Sequence, residues 1–259
     1  MPESLAAVSR GQALRACRTR ARVDAAGFAA GHLLYPELEL GAAYDKAKQA
    51  EPFDPLGMTS TTFDYARAQA GNQARPHAPD IDGKTAPAVM ELHYAVIPVR
   101  PAGAAWANVR DMLRQVQMEV DEGMLPGGQR YIARDPLLAR REKQVPLGND
   151  AIYGMGLMVE TTYDVPVVHH GGDRIGHHSD MIWLPEQKVG AVVLTSGDPG
   201  WTLRTQFRRK LLEVLLDGRA EAGAQVEASA KAYYDSLASE GKRTPVARDA
   251  QHEHVCEER

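Results

Sequence analysis

The 259-residue chain is poor in cysteine: Cys17 and Cys256 are its only two, they lie near opposite ends, and neither belongs to a CxxC pair. A disulfide framework is therefore not expected, and both read as free thiols. Long apolar runs are also missing. None approaches the roughly 18 residues of a transmembrane helix, so the sequence reads as soluble with no membrane partner. Aromatic residues make up only 6%, and a formal net charge of −4 gives no basic excess to recruit nucleic acid. Residues 1–26 hold five arginines but no apolar stretch of secretory length, which argues against a signal peptide and leaves the cytoplasm as the default compartment. An Arg- and Ala-rich start has some transit-peptide character, which Glu3 and Asp24 dilute. What is present, 44% hydrophobic residues over this length, is enough to bury a real core, with one compact unit as the default.

Along the chain the hydrophobic period changes once. "AAYDKAKQA" is a helix-forming string that Pro52 ends, and the proline- and glycine-bearing stretch from Gly71 to Pro101 reads as mostly irregular, with "MELHYAVIPV" as a short strand. The clearest helix is "AWANVRDMLRQVQMEVDEG", where Val109, Met112, Leu113, Val116 and Val120 form one stripe, Asn108 caps the start and Gly123 stops the end. "ARDPLLARREKQ" predicts a short helix opening at Asp135 and Pro136. From Ala151 the period becomes that of strands. "YGMGLMVET", "VPVVHHGG", "HHSDMIWLP" and "VGAVVLTSG" are separated by "YD", "DRIG" and "PEQK", gaps that allow hairpins and forbid parallel crossovers. An antiparallel meander is predicted, covered by a helix in "TQFRRKLLEVLLDGR" whose stripe is Phe207, Leu211, Val214 and Leu215 and which ends at Gly218. A further helix, "AQVEASAKAYYDSLASEG", and a polar tail follow.

The most concentrated chemistry is "HHGGDRIGHHSDMIWLP", His169 to Pro185, with four histidines and two aspartates in its first twelve residues. Strand alternation sends the rings of His169 and His170 to opposite faces, and likewise those of His177 and His178, so no pair can hold one metal from a single strand. One ring from each pair with Asp173 or Asp180 would still supply the three or four ligands zinc needs. Hydrogen-bonded strand histidines are the more ordinary outcome, and no metal and no cofactor are expected. Trp106 and Trp183 read as core or sheet-face aromatics, and Tyr153 as the opening residue of a strand that either lines the groove or, more ordinarily, is buried against a neighbour.

"PLGMTSTTFD", "PAGAAWANVRDM", "YGMGLMVE" and "HHGGDRIGHHSDMIWLP", in this order, resemble the serine β-lactamase-like family: class C β-lactamases, penicillin-binding D-alanyl-D-alanine peptidases and related esterases. The resemblance covers roughly Gly27 to Arg219. It implies an α+β fold, with a helical, loop-rich lobe over 27–150 and an antiparallel sheet plus helix over 151–219, a leader outside the family over 1–26, and a helix and polar tail over 220–259. It also implies acyl transfer on a small acyl substrate or β-lactam-like ligand, through a serine and lysine in SxxK, a tyrosine in YxN and a late [KH]xG on a strand edge. His170, Gly171 and Gly172 match the third motif. By the same resemblance the backbone N–H of Asp173 is one oxyanion donor, and the small residues admit a substrate backbone.

The first two motifs do not match. The only SxxK is Ser239 to Lys242, out of order in a polar region after the final helix, and no YxN exists, because Asn72, Asn108 and Asn149 all lack a tyrosine two residues earlier. Ser60 and its hydroxyl neighbours have no lysine or histidine at SxxK spacing and read as turn and capping residues. The chain thus looks like the C-terminal portion of a serine hydrolase without its nucleophile motif. A catalytically inactive binding protein that keeps the groove is the alternative. With no strand from before SxxK to pair with it, the uncharged run Val189, Ala191, Val192, Val193 and Leu194 is expected to be a strand buried on both faces with an open edge, a route to homo-oligomers.

Overall fold

A computed structural model of the chain describes residues 26–80, 82–142, 145–148 and 150–243, the last four by backbone alone. The leader up to residue 25, both cysteines, Asn149 and the tail after Arg243 lie outside the described residues. Two compact units result, one from His93–Ala133 with the chain up to Gln73, the other from Ala74–Leu92 with the chain from Arg134 onward.

The first unit is helical, with α1 (residues 26–34), α2 (Leu40–Lys48), α3 (Tyr65–Ala70) and α4 (Val109–Val120). Pro52 does not end α2 directly: the chain runs on through one π turn, Gln49–Phe53, that contains it. Ala43, Tyr44, Phe53, Met58 and Val116 are core residues. Asn108 caps α4 as expected, its side-chain oxygen accepting from the Asp111 N–H at 2.9 Å. The buried face of α4 departs from the apolar stripe. Val116 and Val120 are buried, but Val109 and Leu113 are 40% and 38% exposed, and Asp111, Met118 and Glu119 are buried instead. The cause is Asp111, whose carboxylate accepts from the Ser60 N–H at 2.8 Å and the Thr61 hydroxyl at 2.9 Å and so rotates the helix toward that turn. The predicted strand "MELHYAVIPV" is wrong as well: Met90–Ala102 forms 3₁₀ turns with a kink at Val99. Pro98 and Pro101 carry no N–H for a ladder, which disfavours pairing.

The second unit is built on a six-stranded antiparallel meander, β3 (Val145–Pro146), β4 (Ala151–Tyr153), β5 (Met158–Glu160), β6 (Val167–Arg174), β7 (His177–Leu184) and β8 (Val189–Thr195), neighbours in space as in sequence. The meander was expected, with two differences. "YGMGLMVET" is not one strand but the end of β4, a turn and β5. The gap read as "DRIG" is only the Ile175–Gly176 turn, because pairing extends to Arg174 and His177. A small hairpin, β1 (His77–Pro79) with β2 (Thr85–Pro87), replaces part of the expected irregular stretch. Short α5 (Arg134–Ala139) begins where Asp135 and Pro136 predicted.

Helix α6 (Gly200–Leu215) covers the sheet, with Phe207, Leu211 and Leu212 packed on Val167, Ile182 and Leu184. Val214, expected on that stripe, is 69% exposed, and Leu215 is exposed too; Leu212 and Glu213 are buried in their stead. Glu213 has a structural task that explains this. Its carboxylate oxygen accepts from the N–H groups of Glu221 and Ala222, each at 2.7 Å, where α7 (Ala222–Arg243) begins. It also meets Arg209 at 3.2 Å and Lys210 at 3.3 Å. The SxxK serine lies inside α7 and not after it, its hydroxyl donating to the Ser236 carbonyl one turn back. Strand β8 ends the sheet. It is half-buried, with Leu194 exposed, and so is not the doubly buried strand expected.

Glu213 makes acid stability testable. The backbone hydrogen bond from Glu221 leads the causes that lower its pKa from 4.5 to about 2, with burial opposing. A carboxylate lowered on folding contributes stability above its unfolded pKa that is lost as pH falls toward the folded value. Thermal melts from pH 7 to 2 should show Tm falling by several degrees between about 4.5 and 2 from this group. Glu213→Gln should flatten that limb and lower Tm at pH 7. An acid limb identical in both proteins would refute the assignment.

Candidate functional site

The β6–β7 hairpin carries the four histidines, and its register sorts them. Asp173 pairs with His178, Gly171 with Asp180 and His169 with Ile182. These residues share the face that holds Ile182 against α6, and His170, Gly172, His177 and Ser179 share the other.

On the α6 face, His169 is buried. Its Nε2 lies 3.1 Å from Glu160 and its Nδ1 3.8 Å from Asp180, with the Arg208 guanidinium against the ring and 3.4 Å from Glu160. Burial opposes charge on the ring, but the nearby carboxylates of Asp180 and Glu160 together prevail and hold its pKa above the ordinary value. The hydrogen bond from His169 in turn lowers the pKa of Glu160. Toward the turn, His178 Nδ1 meets Asp173 at 2.7 Å and its Nε2 lies 3.4 Å from Asp198, while Arg204 reaches the other Asp173 oxygen at 3.0 Å. Arg204 also approaches the Ser179 carbonyl at 3.3 Å. A Cβ on Gly171 would stand 2.5 Å from that guanidinium, which can swing aside, and 2.9 Å from the Ser179 carbonyl, which is backbone and cannot, so the Ser179 carbonyl is what requires glycine there. Gly172 is less crowded, with only the Ser179 hydroxyl 3.0 Å from an added Cβ.

On the opposite face, His170 Nε2 is 3.3 Å from the Tyr153 hydroxyl. Burial first, then the neighbouring His169, lowers the His170 pKa, so the ring is neutral at neutral pH and acts as a hydrogen-bonding group and not a cation. His177 Nε2 lies 3.2 Å from the Ala74 carbonyl, and burial lowers its pKa too. Exposure rises steadily along β6 from buried His169 to exposed Gly172, Asp173 and Arg174. The reason is that β5 pairs with β6 only through Val167, Val168 and His169. From His170 onward no strand lies on that side of β6 among the described residues.

The hairpin thus brings His170, Gly171, Gly172 and Asp173 together on one strand, half of it open. It disperses the histidines into separate hydrogen-bonded groups, and among the described residues no three His, Cys, Asp or Glu side chains converge as metal ligands. Ser60 and Thr61 are tied to Asp111 in the first unit. Trp183 is fully buried with the Arg141 guanidinium 5.3 Å over its ring, and Trp106 packs with Tyr65 and Tyr94. Sequence reasoning missed the arginines. Arg204 and Arg208 are one turn apart on α6, an i,i+4 basic pair above a face that carries Glu160, Asp173 and Asp180 on three neighbouring strands, and that spacing was the available signal. No described helix is long and apolar enough to cross a membrane.

No curated protein sequence matches the chain. Among solved structures, an octameric penicillin-binding protein homologue from Pyrococcus abyssi is similar at 19% identity with a TM-score of 0.56, over 68% of this chain and 38% of that one. A structure of SurE is similar at 21% identity with a TM-score of 0.51, over 71% of this chain and 43% of its own. The chain therefore spans about two-fifths of the length of these structures, and at such identities the likeness establishes an α+β fold. The family profile described as Beta-lactamase matches residues 7–248. Matched over nearly its whole length, the chain belongs to the β-lactamase family.

Proposed function

We propose that this chain carries the substrate edge of a serine hydrolase of the β-lactamase and esterase type, acting on acyl esters or β-lactams, in a sequence without the nucleophile motif. The carrying observation is the half-open strand β6, where half-buried His170 and Gly171 and exposed Gly172 and Asp173 take in the [KH]xG motif. The turn at Ile175–Gly176 is two residues long, which makes Arg174 and His177 the hydrogen-bonded pair of the hairpin. By alternation the N–H groups of Asp173 and Gly171 then point away from β7, toward the open side. An extended acyl substrate would pair with them, with the Asp173 N–H as one oxyanion donor. Small side chains at 171 and 172 keep that approach clear, and neutral His170 offers a hydrogen bond to the substrate.

Without SxxK and YxN the edge lacks an activated nucleophile, and binding outlasts turnover because nucleophile and base act as a unit. Incubation with a fluorophosphonate or a fluorescent penicillin should leave the intact mass unchanged. Benzylpenicillin should nevertheless shift the amide resonances of His170 to Asp173. A one-to-one adduct mapped to Ser60 or Ser239 would overturn the absence of a nucleophile. Unmoved amides at saturating penicillin would sink the substrate edge.

The outer edge of β8 carries a second proposal, that copies of the chain associate through it. Among the described residues no strand pairs there, and Val189, Ala191, Val192, Val193 and Leu194 put apolar side chains beside the open amides. Light scattering coupled to size exclusion should find oligomers, and Val192→Lys should reduce them. A stable monomer at high concentration would refute pairing through β8.

A further inference from the structure

Tyr153 is the last residue of β4, and in register it faces Met158 of β5. Its hydroxyl nonetheless lies 3.3 Å from His170 Nε2 on β6, with the two rings edge to face at 6.1 Å between centroids. The contact reaches past the end of β5, whose pairing with β6 stops at His169. His170 is thus the first residue of the open half of β6, and it is steadied by a side chain from two strands away.

The chemistry of the two rings fixes the direction of this hydrogen bond. A neutral imidazole has one donor nitrogen and one acceptor. The phenol O–H is a far stronger acid than a neutral imidazole N–H, and the bare imidazole nitrogen a stronger base than the phenol oxygen, so at 3.3 Å the Tyr153 O–H donates and Nε2 accepts. The proton of the neutral ring is then on Nδ1. Burial raises the pKa of Tyr153, which keeps the phenol proton in place. The charged and titratable groups acting on His170 are His169 and Arg204, which oppose its protonation, and Asp180, which favours it.

We propose that Tyr153 is a positioning residue that donates to His170 Nε2 and locks the ring as the Nδ1–H tautomer, fixing the orientation of the first side chain in the open half of β6. The significance of this for catalysis rests on the reading of that edge as an acyl-substrate site. The tautomer matters because it decides what the pair offers a ligand: with the single lone pair of Nε2 taken by the phenol, the ring presents its Nδ1–H as a donor and the Tyr153 oxygen remains an acceptor, whereas the opposite tautomer would present an acceptor at Nδ1.

The test is histidine-selective ¹³C/¹⁵N NMR of the full chain without ligand, with His170→Gln identifying the resonance. Native His170 should be the Nδ1–H tautomer at pH 7 and titrate below 6.5. In Tyr153→Phe the donor to the neutral ring is gone, so the tautomers should mix and the midpoint should rise toward 6.5, with the His169 and His178 signals unmoved as reporters of the fold. An unchanged tautomer and midpoint in Tyr153→Phe, or an Nε2–H ring in the native chain, would overturn the proposal. If that variant does not fold, 3-fluorotyrosine incorporated into the native sequence makes the phenol a stronger donor and should lower the midpoint, and no movement would be equally fatal. Because no ligand is present, failure here is separate from failure of the substrate edge, which the benzylpenicillin footprint reports.

Discussion

The register of the β6–β7 hairpin determines what each face of the sheet can do. Because side chains alternate, a slip of one residue would exchange the two histidine environments, sending His169 toward Tyr153 and His170 toward the arginines of α6. The apolar ends of the strands hold the register. Val168, Ile182, Trp183 and Leu184 are almost completely buried, and each such side chain contributes about 1.5–3 kcal/mol when removed from water. A slip would force Trp183 into the space of Ile182 under α6. Packing at one end of the hairpin thereby fixes hydrogen bonding at the other.

The α6 face is a charge-compensated structural layer. Arg208 serves Glu160 and the His169 ring, and one turn earlier Arg204 serves Asp173 and the Ser179 carbonyl. The partly exposed Glu160 and Asp173 and the buried His169 ring are matched in this way. Close packing in this layer also bears on the double glycine. The Ser179 backbone carbonyl stands 2.9 Å from where a Gly171 Cβ would be, whereas Gly172, on the other face, faces only the Ser179 hydroxyl at 3.0 Å. The same layer acts on His170 at a distance, since His169 and Arg204 both disfavour a proton on it.

Much of this was legible in the sequence where the signal was local. Short polar gaps gave the meander and its strand order, Asn108 and Gly123 bracketed α4, and alternation separated His169 from His170. Burial was less legible where a polar side chain decided it. Asp111 collects hydrogen bonds from a turn about fifty residues earlier and Glu213 from the start of the next helix, and each turned its helix so that Leu113 and Val214, which belong to the apolar stripes, face outward. Hydrophobic periodicity cannot register a buried carboxylate. The arginines facing the hairpin come from α6, some thirty residues away, and only the i,i+4 spacing of Arg204 and Arg208 hinted at them.

The open edge and the tyrosine contact share one origin, the turn within "YGMGLM" that was read as continuous strand. The Gly154 N–H donates to the Leu157 carbonyl at 2.8 Å, and Gly156 has φ +74°, a conformation glycine adopts freely. Gly154 also sits where an added Cβ would meet the Arg140 carbonyl at 2.1 Å, and the Met155 N–H donates to that same carbonyl at 2.9 Å. The turn is therefore held from outside as well as by its own backbone. By ending β4 at Tyr153 and delaying β5 until Met158, it limits β5 to three residues, and the last pair it makes with β6 is Met158 with His169. The strand beyond, beginning with His170, has no strand on its β5 side among the described residues, and the residue at the corner of the turn is the tyrosine whose hydroxyl reaches it. Two glycines in β4–β5 thus set both where the open edge of β6 starts and which side chain orients its first residue.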